Sequence, residues 1–404
     1  MESKSNRLRR WTYRITAITI GLALGVVACE LLLVFMKDPG QFYPYRKNTI
    51  KSFYPDEELA TGVSGVSYFT SNSLGCRGPE PKNERHRVLV IGGSTAACSA
   101  LDDSEAWPQL VMDYVNEKRG RDFLWVTNSG IDGKNSRHHL MHARYLVPKI
   151  TDLDHVMVYC GLNDVGAWLY QTSFDPNYLD VEANWNETIA QSFRVSNYKS
   201  SNDPLFKQLE IWTKLSEFKD RYVTNRKRHE KENGIIVEDE RMYWLAEQRK
   251  QRQAQSVRFV HRAKMETFDV ALDSYGSNLQ EIARLIRRAG AEPIFVAQAI
   301  RWKGLTEEQK KNLWMGAMDR GEYYVQEEQM QQFVDAYNQR MKEIAEQQNI
   351  PFIDLPNRLL AKQDIYYDGC HFNEKGARDV AQAISEFLFD RIYSPDAEIQ
   401  ETDG

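Results

Sequence analysis

The chain has 404 residues, with 52 Lys or Arg against 57 Asp or Glu, so its net charge is −5. The tail 1–14 holds five basic residues and one acidic residue, a net charge of +4, which leaves −9 on the rest. An acidic body of this kind gives no electrostatic footprint for nucleic acid, and the length allows a large core.

The basic tail 1–14 is followed by a nearly continuous apolar segment, 15–36, in which Glu30 is the one charged residue. As a helix, this segment is long enough to cross a hydrocarbon core of about 30 Å. A cleaved signal peptide has a shorter apolar region, and a lipoprotein site at Cys29 leaves the apolar residues after it unexplained. We predict an uncleaved signal anchor with a cytoplasmic N-terminus and the rest of the chain extracytoplasmic. A bacterial periplasm is the first choice, and a eukaryotic lumen is the alternative.

Beyond the anchor, we interpret 37–65 as an extended linker, 66–394 as the folded domain and 395–404 as a tail. Residues 66–78 have the pattern of a short hairpin. Five apolar segments then alternate with helical patterns, which predicts an α/β fold with a parallel sheet covered on both faces. The predicted strands are 88–91, 123–127, 155–159, 293–297 and 351–355.

A segment at about 166–265 interrupts this alternation after the third strand. It is crowded with charge, contains scattered aromatic residues and is interpreted as a helical insertion. A lid or substrate platform and a solvated decoration are both compatible with it.

Ser94 ends an apolar segment that passes through Gly92 and Gly93. Glycine at these positions allows a tight turn, so the serine would stand exposed at the carboxyl end of a strand, where ligands bind in parallel α/β sheets. The hydroxyl is a candidate nucleophile, and capping of the next helix is the alternative role.

A base and oxyanion donors are found in three other loops. His371 follows Asp368 by three residues, close enough for the carboxylate to orient the imidazole. Gly133, after the second strand, offers a backbone N–H, and Asn163, after the third, offers a side-chain amide. Each of these loops taken alone also fits ordinary turn chemistry.

Ser94, Gly133, Asn163 and the Asp368/His371 pair occur in an order that resembles the SGNH hydrolase superfamily, also called GDSL-type esterases. The resemblance covers about 66–394 without the insertion, and Gly93 stands where the name-giving motif has aspartate. The Gly-Gly-Ser-Thr version resembles a membrane-anchored branch of that superfamily.

The resemblance implies a flavodoxin-like three-layer α/β/α sandwich. It also implies a Ser94 nucleophile with His371 as base and Asp368 as its partner. The oxyanion hole would be formed by the Ser94 N–H, the Gly133 N–H and the Asn163 side chain.

Other patterns in the sequence are weaker. Gly92–Thr95 has no Lys in the place that a phosphate loop requires. His138, His139 and His142 have helical spacing for a metal but no matching Glu, so we expect a solvated face. Cys98 is expected to be buried inside the helix after Ser94.

No cofactor and no metal are predicted. Four cysteines lie beyond the anchor, and the sequence is compatible both with disulfides between them and with buried free thiols: Cys76, Cys98, Cys160 and Cys370.

The expected function is hydrolysis of acyl esters, by resemblance acetyl esters on a carbohydrate or cell-envelope glycan. An O-acetyltransferase that uses the same residues, with a membrane acyltransferase as partner, is the first alternative. A catalytically silent glycan-binding protein is the second.

Overall fold

The computed structural model describes residues 4–36, 42–172, 185–196, 198–200, 203–233 and 242–393. The expected tail 395–404 lies outside the described residues. The first element is a helix, Lys4–Phe35, which continues from the basic tail into the apolar segment. Its part Arg9–Phe35 is long and apolar enough to cross a membrane.

The predicted five-stranded parallel sheet is present. In chain order, its strands β1 to β5 are His86–Gly92, Leu124–Asn128, His155–Tyr159, Glu292–Val296 and Phe352–Ile353. They lie side by side in the order β5-β4-β3-β1-β2, with every pairing parallel. This flavodoxin-like order reverses its direction between β1 and β3, where α/β proteins bind their ligands.

Helices cover both faces of the sheet, because alternate side chains of each strand point to opposite layers. In β1, Val88 and Val90 pack into one buried cluster, whereas Leu89 and Ile91 pack into the other. The first layer contains helices Trp107–Arg119 and Glu374–Arg391. The second contains Ser136–Tyr145, Phe268–Arg288 and Glu327–Gln347. This arrangement is the predicted three-layer sandwich.

The linker interpretation of 37–65 is wrong for its described residues, 42–65. Ile50–Phe53 forms a strand that pairs antiparallel with Ser67–Thr70, so the expected hairpin within 66–78 keeps only the single bridge Ser71–Arg77. Tyr45 and Val63 are buried against the domain. The charged, proline-containing composition of this segment suggested a linker. Its few apolar residues are buried by contacts with residues far along the chain.

The described residues of the predicted insertion are mainly helical, and the segment leaves the sheet at the carboxyl end of β3. Its helices are Trp185–Ser192, Leu205–Gln208, Glu210–Glu232, Tyr243–Ala254 and Arg262–Met265, after Leu162–Tyr170. Short strands also pair here: Phe42–Tyr43 with Val195–Ser196, and Tyr323–Val325 with both Ala317–Met318 and Val257–Arg258. The remaining short helices are Ser94–Ala97, Glu307–Lys310 and Leu355–Arg358, with 3-10 turns Val147–Lys149 and Asp319–Gly321.

The expected solvated face at His138, His139 and His142 is also wrong, because all three imidazoles are buried. Their helix packs between Phe268–Arg288 and the insertion helix Trp185–Ser192. Burial lowers the pKa of each imidazole, and that of His142 falls to about 4. The spacing of the histidines defines a helix face but not what covers it.

Candidate active site

The turn after β1 places the Ser94 side chain at the carboxyl edge of the sheet, beside the point where the strand order reverses. Gly93, not Ser94, is the N-cap residue of the one-turn helix Ser94–Ala97, and no side chain caps that helix. The Ser94 hydroxyl lies instead 2.7 Å from Nε2 of His371. The structure therefore places Ser94 at a site rather than at a cap.

Asp368 completes a chain of hydrogen bonds from Ser94 through His371. Its Oδ2 lies 2.7 Å from the imidazole Nδ1, and its Oδ1 accepts the backbone N–H groups of Cys370 at 2.8 Å and of His371 at 2.7 Å. The Asp368 side chain is fully buried. These contacts fix one imidazole nitrogen toward the carboxylate and turn the other toward Ser94.

Trp314 is a further contact of this pair that sequence reasoning missed. Its indole N–H donates to Oδ2 of Asp368 at 2.8 Å, and its ring lies parallel to the His371 imidazole with a centroid distance of 6.1 Å. No local pattern marks Trp314, because it reaches the site from a loop 54 residues before Asp368. The indole both satisfies a buried carboxylate oxygen and covers one side of the imidazole.

The electrostatics of the pair follow from its burial and its hydrogen bonds. Burial would raise the pKa of Asp368, but the neighbouring His371 and the backbone N–H donors lower it to about 2. Burial would likewise lower the pKa of His371, but the Asp368 carboxylate raises it well above its ordinary value. A base with a raised pKa accepts a proton from a hydroxyl more readily.

The three residues that carry the expected oxyanion donors line the cavity beside the Ser94 hydroxyl. Ser94 and Gly133 have backbone N–H groups that donate to no other described residue. Gly133 has a φ of 73°, a left-handed conformation that favours glycine. Both residues line one cavity together with Asn163 and His371. The structure thus brings together all of the expected oxyanion donors.

Asn163 and the residue after it both bond to the segment that follows β2. Its Nδ2 donates to the carbonyl of Lys134 at 2.8 Å. The next residue, Asp164, is buried and accepts the backbone N–H of Ser136 at 3.1 Å. These bonds tie the loop after β3 to the loop after β2, which carries Gly133.

Steric crowding explains why position 93 is a glycine. A Cβ there would lie 2.5 Å from Nδ2 of Asn163 and 3.1 Å from the Lys134 carbonyl. Any larger residue, including the aspartate of the name-giving motif, would have to displace the Asn163 amide. In this chain the turn that carries Ser94 is therefore packed directly against the Asn163 side chain.

Arg77 supports the turn that carries Ser94, and no sequence pattern had indicated this role. The buried guanidinium donates to the carbonyls of Ala97 at 2.7 Å, Cys98 at 2.8 Å and Leu101 at 2.7 Å. It also pairs with Asp103 at 3.0 Å. Cys98 is buried as expected, but it ends the helix with a φ of 52° instead of lying inside it. Arg77 therefore satisfies the carbonyls that this short helix leaves unpaired.

A cavity of about 390 Å³ opens beside the Ser94 hydroxyl. Apart from the residues already described, its wall is mainly apolar and aromatic: Phe53, Met242, Trp244, Trp314, Met315 and Tyr367. Met242 and Trp244 come from the insertion, whose helix is fixed by the Arg249 guanidinium donating to the Tyr367 carbonyl at 3.0 Å. Part of the insertion is thus a wall of the site, whereas much of Glu210–Glu232 is exposed.

Asp368, Cys370 and His371 are the one group of three possible metal ligands found among the described residues. Both imidazole nitrogens already face Asp368 and Ser94, so we assign no metal ligand to this group.

All five cysteines are free thiols, and those beyond the anchor are buried. Burial raises the pKa of Cys98 and of Cys370 to about 11, which keeps both protonated at neutral pH.

Comparison with known proteins decides the family. The family model described as GDSL-like lipase/acylhydrolase matches residues 90–378. The chain belongs to the GDSL-like lipase/acylhydrolase family. The match includes every residue of the site from Ser94 to His371, and membership makes this GDSL-like protein an ester hydrolase.

Solved structures similar to this GDSL-like hydrolase have low sequence identity to it. They include an acetylxylan esterase from Geobacillus stearothermophilus, with 14% identity over 76% of this chain and 95% of that chain and a TM-score of 0.40. A lipase/acylhydrolase from Enterococcus faecalis has 12% identity over 76% and 96%, with a TM-score of 0.39. A lipolytic G-D-S-L family member from Veillonella parvula has 12% identity over 76% and 100%, with a TM-score of 0.38. Comparison with curated sequences returned no match.

Proposed function

We propose that Ser94 is the nucleophile of this ester hydrolase, with His371 as its general base and Asp368 as the partner that orients and stabilises the imidazole. The observation that carries the proposal is the unbroken hydrogen-bond chain from the Ser94 hydroxyl through His371 to the buried Asp368 carboxylate. This chain ends at a cavity that can admit an ester.

In this mechanism, Ser94 Oγ attacks the ester carbonyl carbon while its proton passes to Nε2 of His371. The tetrahedral oxyanion accepts hydrogen bonds from the Ser94 N–H, the Gly133 N–H and the Asn163 amide. Collapse expels the alcohol, which takes the proton from His371. Water then gives a proton to the same nitrogen and attacks the acyl carbon. As the second tetrahedral intermediate collapses, His371 returns that proton to the departing Ser94 Oγ, and the acid is released.

The proposed substrates are acetyl esters on a carbohydrate or cell-envelope glycan. The apolar surfaces of Met242 and Met315 suit a small acyl group, and Trp244, half-exposed at the cavity, offers a flat aromatic face to a sugar ring. Among the described residues that line this cavity, Asp132 is the one acidic residue, and none is Lys or Arg. That composition favours an uncharged ester.

The proposed location is a single membrane anchor at 15–36 with the N-terminus in the cytoplasm and the catalytic domain outside it. Two features support it: the exposed apolar helix Arg9–Phe35 and the basic residues that precede the span. Positive residues are retained on the cytoplasmic side of such helices.

The direct test is acetate release from 4-nitrophenyl acetate and from a peracetylated monosaccharide by the full-length chain in detergent micelles. We expect Ser94→Ala and His371→Ala to lose activity by at least about 10³-fold. Ser277→Ala and His229→Ala, matched exchanges at exposed positions, should keep it.

Equal acetate release by all these proteins would contradict the assigned roles. Release of 4-nitrophenol with the acetyl group recovered on an added sugar acceptor, and not as free acetate, would favour the O-acetyltransferase instead. An inert wild-type chain that still binds the glycan would favour the binding protein.

A further inference from the structure

We propose that helix Glu210–Glu232 lies at the membrane surface with an exposed apolar stripe in contact with lipid. The stripe consists of the half-buried Ile211 and the exposed Leu215, Phe218 and Tyr222. The proposal rests on the proposed membrane anchor, but it concerns residues distant from the catalytic groups.

The helix begins directly against the membrane-spanning helix. The carboxylate of Glu30 accepts the backbone N–H groups of Glu210 at 2.8 Å and of Ile211 at 3.0 Å. Glu30 precedes the helix end at Phe35 by five residues, about 7 Å along the axis. A carboxylate at that depth needs hydrogen-bond partners, and the helix N-terminus provides them. This contact holds the start of helix Glu210–Glu232 within about 7 Å of the outer end of the membrane-spanning helix.

The stripe recurs with spacings of four, three and four residues, which places its members on one face of the helix. Leu215 is 59% exposed, Phe218 71% and Tyr222 68%. Beyond Tyr222 the same face continues with the polar residues Arg226 and His229. The preceding turn adds Leu205, which is 82% exposed, and Phe206. The apolar surface is therefore confined to the half of the helix nearest the anchor.

The opposite face of the helix holds the catalytic domain. Arg46 bonds Ser216 at 3.0 Å and Asp220 at 2.7 Å, and the backbone N–H of Ile50 donates to Thr224 at 3.4 Å. The helix thus has one face fixed to the domain and the other free to face lipid.

Exposed basic residues flank the apolar stripe on both sides: Lys219 on one, Lys214 and Arg221 on the other. Apolar and aromatic side chains between cations are typical of helices that lie in a membrane interface. Long basic side chains reach toward lipid phosphates while their stems cover apolar surface. The same strand that carries Ile50 ends at Phe53 in the cavity wall, so the contact would set the height of Ser94 above the bilayer.

The test uses spin labels on the full-length chain in nanodiscs of equal parts phosphatidylcholine and phosphatidylglycerol. Labels are placed at Leu215→Cys and Phe218→Cys in a Cys29→Ala background, since the other four cysteines are buried. Arg228→Cys, exposed on the same helix but off the stripe, is the matched control. In the wild-type chain, a label on the native Cys29 reports whether the membrane-spanning helix lies in lipid.

We expect the accessibility ratio of oxygen to a water-soluble nickel chelate to be severalfold higher at 215 and 218 than at 228. Equal ratios at all three positions, with Cys29 in lipid, would overturn this proposal alone. An aqueous Cys29 would overturn the anchor and this proposal together. Labels at 215 and 218 shielded from both reagents would show a covering protein instead of lipid, which also overturns it.

Discussion

At the scale of single residues, His371 lies between a carboxylate and a hydroxyl, and this position determines how the site responds to pH. A general base works only when neutral, so activity should rise as pH increases through the His371 pKa. Because Asp368 raises that pKa well above its ordinary value, the rise should lie at correspondingly high pH.

Asp368→Asn removes the charge that stabilises the imidazolium. We expect kcat to fall by about 10³- to 10⁴-fold and the residual activity to rise at lower pH than in the wild type. A pH profile of ester hydrolysis measures both effects, with Asp390→Asn on the surface of the last helix as control. An unshifted profile with unchanged kcat would argue against the Asp368 role.

The site residues that a local sequence pattern marks could be predicted. Ser94 follows a strand through two glycines, and Asp368 and His371 are three residues apart, so one loop brings them together. Trp314 and Arg77 were not predictable, because each acts through a contact formed only when distant segments pack. The steric role of Gly93 likewise depends on Asn163, which belongs to another strand end.

At the scale of elements, the one-turn helix Ser94–Ala97 depends on a partner outside itself. Its last carbonyls are satisfied by the Arg77 guanidinium, which is buried and held by Asp103. Lysine keeps the charge at this position but cannot reproduce the planar fork of donors.

We therefore expect Arg77→Lys to lower the free energy of unfolding by about 2–4 kcal/mol, since several buried carbonyls lose their donors. Urea denaturation of the full-length chain in micelles measures the loss. Arg288→Lys, the same exchange on an exposed helix end, should change it by less than about 0.5 kcal/mol. Similar values for the two variants would refute the supporting role of Arg77.

Element types followed from hydrophobic patterning, and all five core strands were located within a few residues. The pattern failed where burial comes from distant partners. The strand Ile50–Phe53 pairs with Ser67–Thr70 and carries alternating buried residues over only four positions, too few to distinguish it from a linker. Helices follow β3 where the insertion was expected, but the docking of Tyr243–Ala254 at the site depends on arginine contacts with loops that the sequence does not pair.

At the scale of the whole molecule, the proposed orientation predicts that a reagent outside the cell reaches the chain after the anchor but not the tail before it. In intact cells that express a Cys29→Ala background, a membrane-impermeant maleimide should label Lys250→Cys, on an exposed part of the insertion. Arg10→Cys should be labelled only after the membrane is permeabilised. The reverse pattern would place the catalytic domain in the cytoplasm and contradict the proposed location.

The central claim is that Ser94 is the nucleophile of this GDSL-like hydrolase. The most direct measurement is the intact mass and peptide map of the full-length chain after treatment with a fluorophosphonate. We predict one adduct on the peptide that contains Ser94, absent in Ser94→Ala and much slower to form in His371→Ala. An adduct on another residue, or equal labelling of wild type and Ser94→Ala, would contradict the account.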